Sequence, residues 1–251
     1  MNLSMTGDLA AAYHSGAQRA RVVTESWGES NLYCPNCSSP KLTWLEPGHP
    51  ASDYSCPECR FWYQLKSKKS PIGKSIRDGA YAAMMEAIRE DRAPSYYFLH
   101  YDFATWSVRN LLLVPSFAFP PSAIIKCPPL SPTARRAGWV GCNFDLSRVP
   151  AEARIEIIST GRRRGDESPT EKPSQRLLTS SPTSQTVITP PEEVREKFRK
   201  VKPLKELSVK ERGWTLDVLN VVAAVCDRRK SSGAHRAPLQ YWKEFTNEDV
   251  Y

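Results

Sequence analysis

Four cysteines stand in two pairs, Cys34 with Cys37 and Cys56 with Cys59, spaced C-x2-C-x18-C-x2-C. Two tight knuckles of this kind deliver four thiolates to one tetrahedral ion. Disulfides are the competing use of such pairs. They persist in oxidising compartments, however, and the chain opens on polar and alanine-rich sequence with no basic segment leading into an apolar run. Four thiolates leave no open coordination position, so the ion expected here is a structural Zn²⁺. The remaining cysteines, Cys127, Cys142 and Cys226, are isolated and carry no assigned chemistry.

Side chains of a different character bracket the second pair. Asp53 lies three residues before Cys56, and Gln64 and Lys66 lie five and seven residues after Cys59. A metal held by the cysteines would therefore staple the turn between the two segments. Gln64 and Lys66, two apart on a strand, share a face, and an Asp on the preceding strand can meet them there. The pattern Asp-x10-Gln-x-Lys resembles the PD-(D/E)xK nuclease core, with Gln where an acid is usual. In that chemistry a carboxylate holds Mg²⁺ against a scissile phosphate, the ion acidifies an attacking water, and Lys orients the water and stabilises developing charge. So loose a three-residue pattern also arises by chance.

The elements that must position these groups are legible as hydrophobic periodicities. Residues 61–66 alternate as a strand, with Phe61, Tyr63 and Leu65 on one side and Trp62, Gln64, Lys66 and Lys68 on the other. Apolar residues at three- and four-residue intervals predict a helix over 8–27, stopped at Gly28, and a second over 75–91 with a stripe of Ile76, Ala80, Ala83, Met84, Ala87 and Ile88. Residues 96–101 and 108–114 read as adjacent strands, and 154–159 as another. From 160 to 191 the composition turns to Arg, Ser, Thr, Pro and Gly, which predicts a disordered linker. A short charged helix follows at 192–200, and residues 214–225 are apolar enough to need a partner surface.

The 251 residues, 40% hydrophobic, suffice for one main domain plus a tail, and a formal charge of +8 favours polyanionic partners through counterion release. No stretch reaches the length of a membrane span. The four histidines are scattered without metal or triad spacing.

Several blocks are similar to the family of DpnI and the Dam-replacing endonucleases. They are Gln18-Arg19-Ala20-Arg21 through Trp27, Tyr33-Cys34-Pro35-Asn36-Cys37, Leu65-Lys66-Ser67-Lys68-Lys69, Asp78-Gly79-Ala80-Tyr81-Ala82, and Pro132-Thr133-Ala134-Arg135-Arg136-Ala137-Gly138-Trp139. The similarity continues through Gly141-Cys142-Asn143 and Asp145-Leu146-Ser147, with an echo at Arg212-Gly213-Trp214-Thr215.

The resemblance implies an α/β (α+β) restriction-endonuclease-like fold, a mixed sheet flanked by helices, with a four-cysteine zinc ribbon inserted between the catalytic strands. Residues 1–159 would form the catalytic domain, with the ribbon at 34–59. The linker of 160–191 and residues 192–251, read as the remnant of a shortened winged-helix domain, would follow. Residues 245–249 resemble the start of that domain in the family.

The implied activity is Mg²⁺-dependent cleavage of double-stranded DNA at GATC sites carrying N6-methyladenine, by a monomer in a prokaryotic cytoplasm. Asp53 and Gln64 would bind Mg²⁺ and Lys66 would act at the water. Gln64 keeps an oxygen ligand but lacks the charge of the Glu usual there. Arg135 and Arg136 would reach guanine edges or phosphates, Trp139 the methyl groups, and Lys68 and Lys69 the backbone. Read from chemistry alone, Trp139 is more readily a core aromatic than a methyl sensor, and the lysines are equally a solvated face. Two other functions stay open: a noncatalytic zinc-ribbon DNA-binding protein, and an endonuclease for unmethylated GATC.

Overall fold

The computed structural model describes residues 1–46, 52–160 and 185–230. Along the chain come α1 (Gly16–Asn31), β1 (Thr43–Trp44), β2 (Tyr54–Ser55), β3 (Trp62–Lys68), β4 (Ser75–Ala80), α2 (Tyr81–Arg89), β5 (Ser95–Asp102) and β6 (Ser107–Val114). They are followed by β7 (Ile124–Pro129), β8 (Val140–Asp145), β9 (Ile155–Thr160), β10 (Thr186–Ile188), α3 (Pro191–Val201) and α4 (Val209–Lys230). The fold is of mixed α+β class, as expected. Its described residues fall into two compact units, one drawn from Met1–Ile72, Tyr96–Leu113 and Glu156–Glu196, the other from Gly73–Ser95, Val114–Ile155 and the chain from Lys197 on.

The first unit is built on a seven-stranded sheet in the order β1-β2-β3-β5-β6-β9-β10. Strands β1, β2 and β3 form an antiparallel meander, with Thr43 opposite Ser55 and Tyr54 opposite Tyr63. Burial along β3 alternates as the sequence predicts: Tyr63 and Leu65 are buried, Trp62 is exposed, and Gln64 and Lys66 are half-buried. Helix α1 contributes Val23 and Trp27 to the core, and the Trp27 indole donates to the Asn2 carbonyl at 2.7 Å.

Helix α1 differs from expectation at both ends. Residues Gly7–Ala12 form a separate 3-10 turn, and the α-helix begins only at Gly16. The turn is held elsewhere: a Cβ on Gly7 would lie 2.5 Å from the Trp106 ring, and Met5 N–H donates to the Trp106 carbonyl. At the other end the helix runs through Gly28 to Asn31. Gly28 is required there by close approach, since a Cβ would sit 2.4 Å from the Tyr54 hydroxyl, which itself donates to the Glu25 carbonyl at 2.7 Å.

The second unit contains an antiparallel sheet in the order β4-β8-β7, in which Phe144 of β8 lies between Ile76 of β4 and Ile124 of β7. The helix expected over 75–91 is thus a strand followed by a shorter helix. Ile76 and Phe144 are both buried across the β4–β8 pair, and Gly79, a poor helix former, lies where the helix would have continued. Only Met84 and Ile88 of the expected stripe are buried on α2. Arg212 of α4, 6% exposed, donates to Asp91 at 2.6 Å and to the Leu204 and Leu207 carbonyls. Further along α4, Leu216 is buried while Trp214, Val218 and Val221 are exposed.

Part of the expected linker is ordered sheet: Thr186 pairs with Thr160 and Ile188 with Ile158, so β10 extends the edge beside β9. Edge pairing satisfies backbone groups without needing large apolar side chains, and Thr186-Val187-Ile188 is a β-branched run. The rest of the expected linker, 161–184, and the segment 245–249 lie outside the described residues. Among the described residues no helix is long and apolar enough to cross a membrane.

Candidate active site

The chain leaves α1 through Leu32 and Tyr33 directly into the first cysteine knuckle, and the turn between β2 and β3 supplies the second. The sulfur atoms of Cys34, Cys37, Cys56 and Cys59 all lie within 4.8 Å of one another, with Cys34–Cys59 and Cys37–Cys56 each at 3.5 Å. Zn–S bonds of about 2.3 Å in a tetrahedron place sulfurs about 3.8 Å apart. The four thiolates therefore fit a single tetrahedral ion. The second knuckle closes through Arg60, a non-glycine residue at φ 59°, whose N–H donates to the Cys56 carbonyl.

Burial pushes the Cys34 thiol well above its ordinary range. Burial also opposes ionisation of Cys56, but the Cys59 and Glu58 backbone N–H groups together with the Cys37 and Cys59 thiols outweigh it and bring that thiol down to about 7. Without a cation the four thiols do not ionise together; a bound metal supplies the charge that lets them. The Tyr63 hydroxyl lies 3.2 Å from the Cys34 sulfur and, held protonated by burial, can donate to the thiolate. That contact ties the cysteine cluster to β3, one residue before Gln64.

Asp53 is fixed from three sides by backbone. Its N–H donates to the Tyr63 carbonyl at 3.0 Å, its carbonyl accepts from Leu45 at 2.9 Å, and its Oδ2 accepts the Leu65 N–H at 2.9 Å. Burial raises the carboxyl pKa, while the Leu65 N–H and the charges of Lys66 and Arg21 act the other way. Asp53 and Lys66 thus share one electrostatic neighbourhood, and Gln64, half-buried on β3, stands between Tyr63 and Leu65, the two residues whose backbone Asp53 bonds.

Two residues of α1 join this neighbourhood without having been expected there. Glu25 is half-buried, and its pKa is raised by burial and by the charge of Asp53 against the opposing effect of Arg21. Arg21 donates to Glu25 at 2.6 Å and is also within electrostatic range of Asp53. A Glu on an amphipathic helix ordinarily reads as solvated face. The one available signal was the Arg21/Glu25 spacing inside a block already noted. Thr24, one residue earlier, bonds Ser67 of β3 at 3.0 Å and so fixes α1 against the strand that carries Lys66.

Of the residues expected to touch DNA, Lys68 is half-buried at the end of β3 and Lys69 is exposed just beyond it. Arg135, Arg136 and Trp139 belong to the second unit, in the loop joining β7 to β8. Both arginines are exposed, and the Arg136 guanidinium lies 4.5 Å from the Trp139 ring centroid. Trp139 is neither fully buried nor free: its ring covers Gly141, where a Cβ would come within 2.8 Å of it. Gly138, at φ 76°, and backbone bonds from Leu130 to the Trp139 carbonyl and from Gly138 to the Leu130 carbonyl close the loop.

The fold is of mixed α+β class and carries a four-cysteine cluster of zinc-ribbon type, seated against a strand that lies beside a half-buried carboxylate. The family model of the DpnI, or Dam-replacing, family matches residues 1–179, and the chain belongs to that family. Membership places the protein among DNA-directed restriction endonucleases.

Proposed function

We propose that the protein is a site-specific deoxyribonuclease that hydrolyses DNA phosphodiester bonds at GATC sites carrying N6-methyladenine, with Mg²⁺ at Asp53 and Gln64 and a structural Zn²⁺ on the four cysteines. The observation that carries this reading is the half-buried Asp53 carboxylate, in electrostatic contact with Lys66 and Glu25 and bonded to the backbone of β3. Burial disfavours the charged carboxylate while the Lys66 charge favours it, and such opposed influences on one group in a shared neighbourhood are common at functional sites.

The donor set suits a hard cation: the Asp53 and Glu25 carboxylates and the Gln64 amide oxygen are all oxygen ligands. Glu25 would restore the negative charge that Gln64 lacks. Bound Mg²⁺ would neutralise the scissile phosphate and acidify the attacking water. Lys66 would orient that water and stabilise charge building on the phosphate. Arg21 would hold the Glu25 carboxylate in place. Water adds to phosphorus, one P–O ester bond breaks, and the products are a phosphomonoester and an alcohol. Arg135, Arg136 and Trp139 would read the site, with Lys68 and Lys69 on the phosphate backbone.

Gln64 itself favours a second reading, a DNA-binding protein that has lost cleavage, because one charged ligand of the usual pattern is missing. A single experiment separates the two. One plasmid, prepared with and without adenine methylation, is incubated with the protein and Mg²⁺, with Lys66→Ala as control. Cutting of the methylated form alone, slowed about 10²–10³-fold in the variant, is the expected result. Binding without cutting would support the second reading, and cutting of only the unmethylated form would remove Trp139 as a methyl sensor.

A further inference from the structure

Arg195, the fifth residue of α3, lies outside residues 1–179 and yet bonds the first cysteine knuckle. Its Nε donates to the carbonyls of Cys34 at 3.2 Å and Cys37 at 2.8 Å, and its Nη2 to those of Ser38 and Ser39, each at 3.3 Å. The guanidinium also lies 5.3 Å from the Tyr33 ring centroid, and the side chain is only 19% exposed. Four carbonyls of one turn thus converge on one cation, and two of them belong to metal-ligating residues. A planar fork of N–H donors can span such a set, whereas a single ammonium cannot.

The charge argument points the same way. Four thiolates around a divalent ion leave a net charge of about −2. Glu58, whose Oε2 lies 3.6 Å from the Cys37 sulfur, adds to it. A guanidinium bonded to the ligands' own backbone offsets that charge and holds the knuckle in its ligating conformation. Groups that orient metal ligands from outside typically change affinity by about 10–100-fold when removed.

We propose that Arg195 is a positioning residue for the metal centre, a clamp supplied by α3 that slows metal release from the knuckle it bonds. The inference rests on reading the four thiolates as a zinc site. Release differs from simple anchoring of α3, because it is read at the metal and not from the stability of the helix.

The test uses the full chain loaded with zinc, as wild type, Arg195→Met, Arg195→Lys and, as a control on the same helix, Arg199→Met. Zinc transfer to a chromophoric chelator in fixed excess gives the release rate. Thiolate-to-metal absorption of the cobalt-substituted protein reports ligand geometry. Arg195→Met should release zinc about 10–100-fold faster, with a changed cobalt spectrum, and Arg199→Met should match wild type. Arg195→Lys keeps the charge and should recover only part of the retention, and it provides the measurement if Arg195→Met does not fold. Wild-type release rates in the Arg195 variants, with one zinc per wild-type chain, would overturn the clamp. Absence of bound zinc in the wild type would overturn the zinc reading itself.

Discussion

At Asp53 the backbone is hydrogen-bonded on both sides, the carboxylate takes the Leu65 N–H, and a cysteine cluster closes the turn into β3. At Arg135 and Arg136 the chain runs through the β7–β8 loop, both guanidinium groups are exposed, and a few backbone bonds and the Trp139 ring over Gly141 hold the loop closed. On the proposed function, the contrast matches two different demands. Groups acting on a reacting phosphate must be placed to a fraction of an ångström before substrate arrives. Groups reading a base edge can complete their ordering on the DNA.

Removing the metal should have the largest effect. Structural zinc sites contribute on the order of 10 kcal/mol to local folding. Chelation should therefore unfold the knuckles, and cleavage should return only when zinc is restored together with Mg²⁺, not with Mg²⁺ alone. Circular dichroism and plasmid cutting on the same samples check this. Because burial holds Cys34 protonated in the metal-free protein, loading should release protons and apparent zinc affinity should rise with pH. Cleavage that survives full zinc removal would erase the contrast between the two regions.

Next in size is Lys66→Ala, with an expected loss of about 10²–10³-fold in cleavage rate and DNA affinity largely retained. An equal loss of affinity would make Lys66 a backbone contact. Trp139→Ala should instead leave the rate on a saturating methylated site nearly unchanged and reduce discrimination against unmethylated DNA by about 10-fold or more. If the rate falls and discrimination stays, Trp139 belongs to the packing over Gly141 alone.

The smaller effects lie within the carboxylate neighbourhood. Gln64→Glu adds a charged ligand and should lower the Mg²⁺ concentration for half-maximal cutting roughly several-fold; an unmoved midpoint removes Gln64 from the metal site. Asp53→Asn should slightly stabilise the fold. The raised pKa means the folded state disfavours the charged carboxylate, so the cost is present above the folded pKa and vanishes below the ordinary one. The variant's thermal midpoint should exceed that of wild type near neutral pH, and the gap should close on acidification. A lower midpoint in the variant would mean that Lys66 and Arg21 outweigh the burial.

The amino-acid sequence by itself determined what depends on neighbours along the chain. The cysteine spacing, the two faces of β3, the strands β5 and β6 and the charged helix α3 all follow from local periodicity and ligand chemistry. Tertiary structure decided what depends on distant partners. Residues 75–80 carry a helix-like stripe and become a strand, because β8 offers backbone bonds and Phe144 to bury Ile76. Gly28 reads as a helix stop and is instead a seat for Tyr54. Glu25 becomes part of the Asp53 neighbourhood only because α1 packs on β3. Arg195 meets the carbonyl of Cys34 across 161 residues of sequence. Periodicity reports which side of an element is apolar. Which element it then faces is settled by burial and hydrogen-bond satisfaction over the whole chain, and no local window contains that information.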